Sequence, residues 1–136
     1  MNKKIFITAE IGINHNGDMD ICKKLIDVAV QSGCDAVKFQ KRNLEKVYTK
    51  EFLDSKRESQ WGTTQRDQKN GLEFGKEEYD QINDYCKNKI TWFASSWDID
   101  SLKFLDQYNL KFAKVASAMI IDKPFLNELA KRGKYT

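Results

Sequence analysis

Polar residues that could bind a small anion stand inside or directly after four short apolar runs of the sequence. Lys38 and Lys114 lie inside two of these runs, and the carboxylate of Glu10 follows the first run. An ammonium group in a strand interior must lose its hydration or find an anion. The remaining candidates are amides, hydroxyls and the single imidazole of the chain: Asn14, His15, Gln40, Ser95 and Ser117. If these groups converge, they suit a carboxylate or a phosphate.

Each candidate also has a purely structural interpretation. Lys38 and Lys114 can reach a solvated edge or pair with a neighbouring acid, and Glu10 can be that acid. His15 cannot build a metal site alone, and loop imidazoles are often hydrogen-bonding turn residues. A strand lysine can also form a Schiff base with a carbonyl substrate, so charge alone does not name the reaction.

The runs that carry these residues are strand-like, because they are short, apolar and ended by polar residues. They cover residues 4–9, 35–40, 91–95 and 111–116. Helical patterns follow three of them within a few residues. Strands that alternate with helices predict βαβ units and a parallel sheet, so the fold class is α/β. In such folds the ligand site forms at the carboxyl ends of the strands, where the candidates stand.

Capping signals place the helices between the strands. An aspartate precedes each of three predicted helices: Asp18, Asp98 or Asp100, and Asp122. The first of these helices ends near Gly33, and the third carries Pro124 in its first turn. Apolar residues are spaced as one face in the first helix and in a further one: Cys22, Leu25, Ile26 and Ala29, then Tyr79, Ile82 and Cys86.

Residues 41–75 form an exception, because this segment is long, charged and poorly periodic. Connections of this length are usually functional or disordered. With Trp61, Arg66 and Asp67, the segment is either a lid over the site or a solvated loop packed outside the sheet. We favour the lid.

Composition limits the class of protein. The 136 residues fit one domain, 1–136, and the 23 basic and 20 acidic side chains give a net charge of +3 that is spread along the chain. This pattern indicates neither a nucleic-acid nor a membrane footprint. Three cysteines without CxxC spacing fit reduced thiols, and no apolar run approaches the ~20 residues of a membrane span. We expect a cytoplasmic protein that binds small molecules.

Five sequence motifs carry a resemblance to a known family. They are AEIGINHNGD at 9–18, AVKFQ at 36–40, GLEF at 71–74, FASSWD at 93–98 and KVASA at 114–118. Together they resemble the N-terminal half of the N-acetylneuraminate (sialic acid) synthase family. That family includes relatives that make legionaminic, pseudaminic and similar nonulosonic acids. The resemblance covers nearly the whole chain.

The resemblance implies a TIM (β/α)8 barrel, of which this chain holds about the first four βα units. It implies a transferase that condenses phosphoenolpyruvate with an open-chain N-acylated hexosamine such as N-acetylmannosamine. In that reaction a bound divalent cation, Mn²⁺ or Mg²⁺, polarises the sugar aldehyde, and C3 of phosphoenolpyruvate attacks it. Water then adds at C2, and the tetrahedral intermediate loses phosphate by C–O cleavage.

By this resemblance, cations and hydroxyls bind phosphoenolpyruvate. Lys38, Ser95 and Ser117 would surround its carboxylate, and Lys114 would lie near its phosphate. Glu10 would stand by the reacting carbons, where it positions the water or a sugar hydroxyl. Glu10, Lys38 and Lys114 are therefore the implied catalytic residues, because charge must be stabilised where the anion develops.

On the sugar side, the resemblance gives Gln40 a contact with the acceptor. Asn14 and His15 would line the rim after the first strand and shape its loop more than they catalyse. The family's two metal-binding histidines and its C-terminal antifreeze-like domain lie beyond the matched region, so metal ligands are expected beyond residue 136.

Two departures from the family pattern bear on these expectations. Met119 stands where many sialic acid synthases carry an acidic residue, which leaves room for a differently substituted hexose. A (β/α)8 barrel also needs roughly 250 residues. Four parallel strands leave two open edges and an inner face without an opposite wall, so we expect these 136 residues alone to form a homo-oligomer such as a dimer, to bind a missing half or to be poorly ordered. We expect no activity from an incomplete barrel.

Two other interpretations stay open. The chain could belong to another phosphoenolpyruvate-condensing or Schiff-base aldolase barrel, in which Lys38 or Lys114 forms an imine. Alternatively, it could be a non-catalytic half-barrel that binds an anion or a partner protein without turnover.

Overall fold

The structure is a computed structural model that describes residues 5–134. In chain order its strands and helices are β1 (Thr8–Gly12), α1 (Met19–Gln31), β2 (Ala36–Lys41), α2 (Leu44–Val47), α3 (Lys50–Leu53), β3 (Lys56–Ser59), β4 (Gly62–Thr64), α4 (Gln65–Leu72), α5 (Lys76–Cys86), β5 (Thr91–Ser96), α6 (Ile99–Leu105), β6 (Lys114–Val115) and α7 (Lys123–Ala130). Single 3-10 turns cover Asp106–Tyr108 and Ser117–Met119.

Four strands form a parallel sheet in the order β1-β2-β5-β6. The predicted α/β class and the parallel sheet are confirmed. Residues in register form layers across the sheet, and in one layer Gln40 of β2 lies beside Ser95 of β5, which lies beside Lys114 of β6. One layer deeper, Lys38 lies between Glu10 of β1 and Phe93 of β5. The register brings the predicted site residues to one end of the sheet.

The two faces of the sheet differ because side chains alternate along a strand. The odd-numbered β2 residues Val37 and Phe39 are buried in the main core with the faces of α1 and α5. Most of the residues that the periodicity predicted to share one face of those two helices are buried as well: Cys22, Ile26, Ala29, Tyr79, Ile82 and Cys86. Leu25 is only partly buried and packs against this core. The even-numbered residues Lys38 and Gln40 therefore point to the opposite, open face.

The predicted helix signals are confirmed. The Asp18 side chain caps α1 by accepting the N–H groups of Asp20 and Ile21, and Gly33 follows the helix with φ +76°. Asp98, not Asp100, caps α6. Asp122 caps α7, in which Pro124 is the second residue. Each carboxylate satisfies N–H groups that the first helical turn leaves without partners.

Two strand boundaries differ from the prediction. The first strand begins at Thr8 and extends to Gly12, whereas residues 5–7 lie outside it; Lys4 falls outside the described residues. The reason is that the neighbouring strand β2 starts pairing at Ala36 opposite Thr8. The last strand contains only Lys114 and Val115, because β5 offers it pairing partners only at its own end.

The segment 41–75 is built of short elements instead of being irregular. It contains α2, α3, α4 and a hairpin of β3 and β4. Elements of three to eight residues are too short to show a hydrophobic period, which explains the weak signal. Asp67 forms a capping box with Thr64, and Arg66 binds Glu45 and Asp54. These two residues thus stabilise the segment itself.

No helix within residues 5–134 combines the length and the apolarity needed to cross a lipid bilayer.

Candidate active site

Lys38 is the centre of a polar cluster on the open face of the sheet. Its Nζ lies 2.5 Å from Oε2 of Glu10 and donates a hydrogen bond to Oγ of Ser95 at 3.1 Å. The Lys38 side chain is only 11% exposed, whereas that of Glu10 is 50% exposed. The buried ammonium is thus stabilised by a carboxylate and a hydroxyl from the two neighbouring strands. The structure brings together three of the predicted site residues here.

Gly12 makes room for this cluster. A Cβ at this position would lie 3.0 Å from Oε1 of Glu10 and 3.2 Å from Nε2 of Gln40. The Glu10 carboxylate and the Gln40 amide therefore both reach the space above Gly12. The backbone of Gly12 has φ +58°, a left-handed conformation that glycine adopts at least cost. The Gln40 amide thus lies beside the Glu10 carboxylate above Gly12 and belongs to the cluster.

Lys114 and Ser117 lie on the far side of the same strand ends. Lys114 is in register with Ser95, so it stands in the same layer as Gln40, and it is exposed. Ser117 is exposed in the 3-10 turn that follows β6. Met119, in the same turn, packs against the small apolar cluster between α6 and α7. The sheet places Lys114 near the cluster without a hydrogen bond to it.

His15 and Asn14 form the turn after β1. His15 is 3% exposed and stacks on Phe74, with 3.8 Å between ring centroids, while its Nδ1 accepts the backbone N–H of Gly17. Burial lowers the pKa of His15 to about 4, so the imidazole is neutral near pH 7. Asn14 is exposed, and its side-chain amide donates to the carbonyl of Ile11. The described contacts of Asn14 lie within the turn, whereas His15 also connects the turn to Phe74.

A second polar cluster at the end of β2 was missed by the sequence reasoning. Glu73 binds both Lys41 and Arg42, and all three side chains are at most 13% exposed. Strand alternation could have placed Lys41 on the helix side, opposite Lys38 and Gln40. No such indication existed for Glu73 of the GLEF motif, because a single acidic residue forms no spacing pattern that would predict its contacts.

The arrangement can bind an anion and hold a carboxylate beside it. The cation of Lys38, the hydroxyl of Ser95 and the amide of Gln40 converge on one mouth, and a second lysine, Lys114, lies in the same layer as the hydroxyl and the amide. For a metal ion the fit is poor, since residues 5–134 contain no group of three or more His, Cys, Asp or Glu side chains able to hold one.

Comparisons with known proteins identify the family of this chain. The model of the NeuB family matches residues 25–136. The chain is 37% identical over 132 residues to the N-acetylneuraminate-9-phosphate synthases of Mus musculus and Homo sapiens, covering 95% of this chain and 37% of each relative. It is 33% identical over 138 residues to an N,N'-diacetyllegionaminic acid synthase of Campylobacter jejuni, covering 97% of this chain and 41% of that protein.

A solved structure matches as well. The crystal structure of the N-acetylneuraminic acid (sialic acid) synthetase from Leptospira borgpetersenii, in complex with citrate, superposes with a TM-score of 0.81 at 28% identity. The match covers 98% of this chain and 43% of the synthetase chain. This chain therefore spans less than half the length of the relatives it matches.

Proposed function

The chain belongs to the NeuB family, and we propose that it acts in the condensation of phosphoenolpyruvate with an N-acylated hexosamine such as N-acetylmannosamine, with release of phosphate. The observation that carries the proposal is the cluster of Lys38, Glu10 and Ser95 at the ends of three adjacent parallel strands. Lys38 offers a cation and Ser95 a hydroxyl for an anionic group of phosphoenolpyruvate. Relatives of the chain include N-acetylneuraminate-9-phosphate synthases and an N,N'-diacetyllegionaminic acid synthase.

In this proposal Lys38 and Ser95 bind the carboxylate of phosphoenolpyruvate, with Ser117 completing the pocket and Lys114 facing the phosphate. Glu10 loses part of its contact with Lys38 when the substrate carboxylate arrives. It is then free to orient the water that adds at C2 or a hydroxyl of the sugar. The low exposure of Lys38 strengthens its attraction for the substrate, because little water competes for the ammonium.

For the sugar, Gln40 offers an amide beside Glu10 at the mouth of the cluster. Met119 packs on apolar neighbours and carries no charge for an acceptor hydroxyl, so the acceptor need not be N-acetylmannosamine itself. None of the residue roles proposed here requires a divalent cation bound by residues 5–134, because the described side chains do not offer a ligand set for one.

The proposal also covers the complete fold, the compartment and the oligomeric state of the protein. The four βα units are taken to belong to a TIM barrel, and the parallel order β1-β2-β5-β6 with helices on one face supports this. We further propose a cytoplasmic homodimer. Light scattering of the purified protein tests the dimer.

The decisive experiment measures phosphate release from phosphoenolpyruvate by a longer protein that contains these 136 residues, because we expect no activity from the 136 residues alone. The assay uses a panel of N-acylated hexosamines and added Mn²⁺ or Mg²⁺. We expect release that requires both substrates. Borohydride trapping with a carbonyl substrate should leave Lys38 and Lys114 unmodified. A trapped imine would favour an aldolase instead, and binding of phosphoenolpyruvate without turnover by any sugar would favour a non-catalytic module.

A further inference from the structure

Glu73 is a buried carboxylate that holds the end of β2. Its Oε1 accepts the backbone N–H of Arg42 at 2.9 Å, and its Oε2 accepts Nε of the same residue at 3.2 Å. Nζ of Lys41 lies 3.4 Å from Oε1. One carboxylate therefore contacts two cations whose side chains are 13% and 6% exposed, and the three groups together carry a net charge of +1. Charges at this depth are stable when they are paired, so Glu73 fixes the position of both residues.

Phe74, the next residue, holds the turn after β1. Its ring stacks on the imidazole of His15 with an interplanar angle of 16°, and its carbonyl accepts Nζ of Lys41 at 2.7 Å. His15 in turn accepts the N–H of Gly17. Two adjacent residues of the 41–75 segment thus contact the rim of two neighbouring strands.

These contacts act on Gln40 more directly than on Lys38. Gln40 precedes Lys41 in the chain, and its backbone carbonyl accepts the hydroxyl of the fully buried Tyr79 at 2.7 Å. Lys38 lies two residues deeper, where β1 and β5 pair with it on both sides. A shift of the end of β2 would therefore move the Gln40 amide while the Lys38 ammonium stays in place.

We propose that Glu73 and Phe74 are positioning residues that set the place of Gln40 and of the turn carrying His15, and so govern the acceptor side of the site. We call these two residues the rim clamp. The assignment of the acceptor side rests on the proposed function, whereas the positioning itself does not. The clamp acts through residues 40–42 and 15–17 and does not touch the reacting atoms.

The first test needs no substrate. Hydrogen exchange of the purified protein is compared for Glu73→Gln and for the matched control Glu78→Gln, which removes the same charge from a carboxylate that caps α5. We expect exchange of the amides of residues 40–43 and 14–17 to rise about tenfold in Glu73→Gln only. Equal protection of those amides in both variants would overturn the proposal.

The second test is kinetic and uses the same pair of variants in a longer protein that contains these 136 residues. Glu73→Gln should raise KM for the hexosamine about tenfold, with a much smaller change in KM for phosphoenolpyruvate. A parallel loss for both substrates, or no loss, would overturn the role on the acceptor side. If the wild-type protein turns over no sugar, the proposed function fails, while the exchange result still decides the positioning.

A milder variant serves if Glu73→Gln does not fold. Tyr79→Phe deletes only the hydroxyl that is donated to Gln40 and keeps the buried ring. It should increase exchange around residues 40–42 and raise KM for the hexosamine in the same direction as Glu73→Gln. Wild-type values for both measurements would contradict the idea that the end of β2 must be held for Gln40 to bind.

Discussion

The turn after β1 and the end of α4 meet backbone against backbone. A Cβ added to Gly17 would lie 2.1 Å from the carbonyl oxygen of Gly71, and a Cβ added to Gly71 would lie 2.2 Å from the indole of Trp61. The 41–75 segment therefore contacts the turn after β1 closely through Trp61 and Gly71, and neither Gly17 nor Gly71 has room for a methyl group. The tight fit favours a fixed wall beside the site over a mobile lid.

Gly71→Ala should reverse the usual effect of a helical glycine. In an open helix, alanine would stabilise by about 1 kcal/mol. Here the methyl group would overlap the ring of Trp61, so we expect a net loss of about 1–3 kcal/mol in the free energy of unfolding. Urea denaturation measures it. A gain in stability would show that Trp61 does not rest on Gly71.

Gly17→Ala separates close contact from backbone strain when it is compared with Gly33→Ala. The two glycines have similar left-handed φ values, +72° and +76°, but among the described residues no atom lies within 4 Å of a Cβ built at Gly33. Gly33→Ala should cost about 1–2 kcal/mol from the backbone alone. Gly17→Ala should cost clearly more in the same denaturation experiment. Equal losses would contradict the contact with Gly71.

The parts of the fold that short-range rules govern could be predicted from the sequence. Asp18 and Asp122 predict the starts of their helices, because a capping carboxylate binds N–H groups within three residues of it. Lys38 could be predicted as a site residue, because an ammonium group inside an apolar strand must find an anion to offset its lost hydration. The purely structural interpretation gave Glu10 as a possible ion-pair partner of a strand lysine, and the structure shows this ion pair with Lys38.

The remaining features depend on contacts between distant residues. The role of Glu73 rests on Lys41 and Arg42, which lie more than 30 residues away in the chain. The contact of Gly17 with the carbonyl of Gly71 joins two segments more than 50 residues apart, so no local pattern signals it. The strand boundaries at Thr8 and Val115 are set by where the neighbouring strand offers partners, and no local pattern records that.

Buried His15 should make the stability of the protein depend on pH. Its pKa of about 4 in the folded protein lies below the value of 6.5 expected in the unfolded chain. Between these values the unfolded chain binds a proton that the folded protein does not bind. The free energy of unfolding is therefore not reduced by His15 above pH 6.5. It falls as pH falls from 6.5 toward 4, by up to about 1.4 kcal/mol per pH unit.

Two measurements check this dependence on pH. His15 is the only histidine of the chain, so one imidazole NMR signal reports its pKa directly. His15→Phe keeps a ring to stack on Phe74 and should flatten the change in unfolding free energy between pH 4 and 6.5. A folded-state pKa near 6.5, or an unchanged slope in the variant, would contradict the neutral buried imidazole.

Asp98 should contribute more stability than an ordinary helix cap. Its carboxylate is buried and accepts the N–H of Asn43 at 2.7 Å as well as the N–H and hydroxyl of Ser101. Asp98→Ala leaves these donors without an acceptor and should cost about 2–3 kcal/mol. The exposed cap removed in Asp18→Ala should cost about 1 kcal/mol. Thermal or urea unfolding that ranks the two variants in the opposite order would rule out this bridging role.

The binding of phosphoenolpyruvate should depend on individual lysines in a fixed order. Lys38→Met removes a poorly solvated ammonium and its charge-assisted hydrogen bonds, which are worth about 1.5–3 kcal/mol, so affinity should fall about 10- to 100-fold. Lys114→Met should cost less, because Lys114 is exposed and water screens its charge. Lys24→Met, on the exposed side of α1, is the matched control and should bind as the wild type does. Isothermal titration calorimetry with phosphoenolpyruvate measures all three, and equal affinities of Lys38→Met and Lys24→Met would remove Lys38 from the binding site.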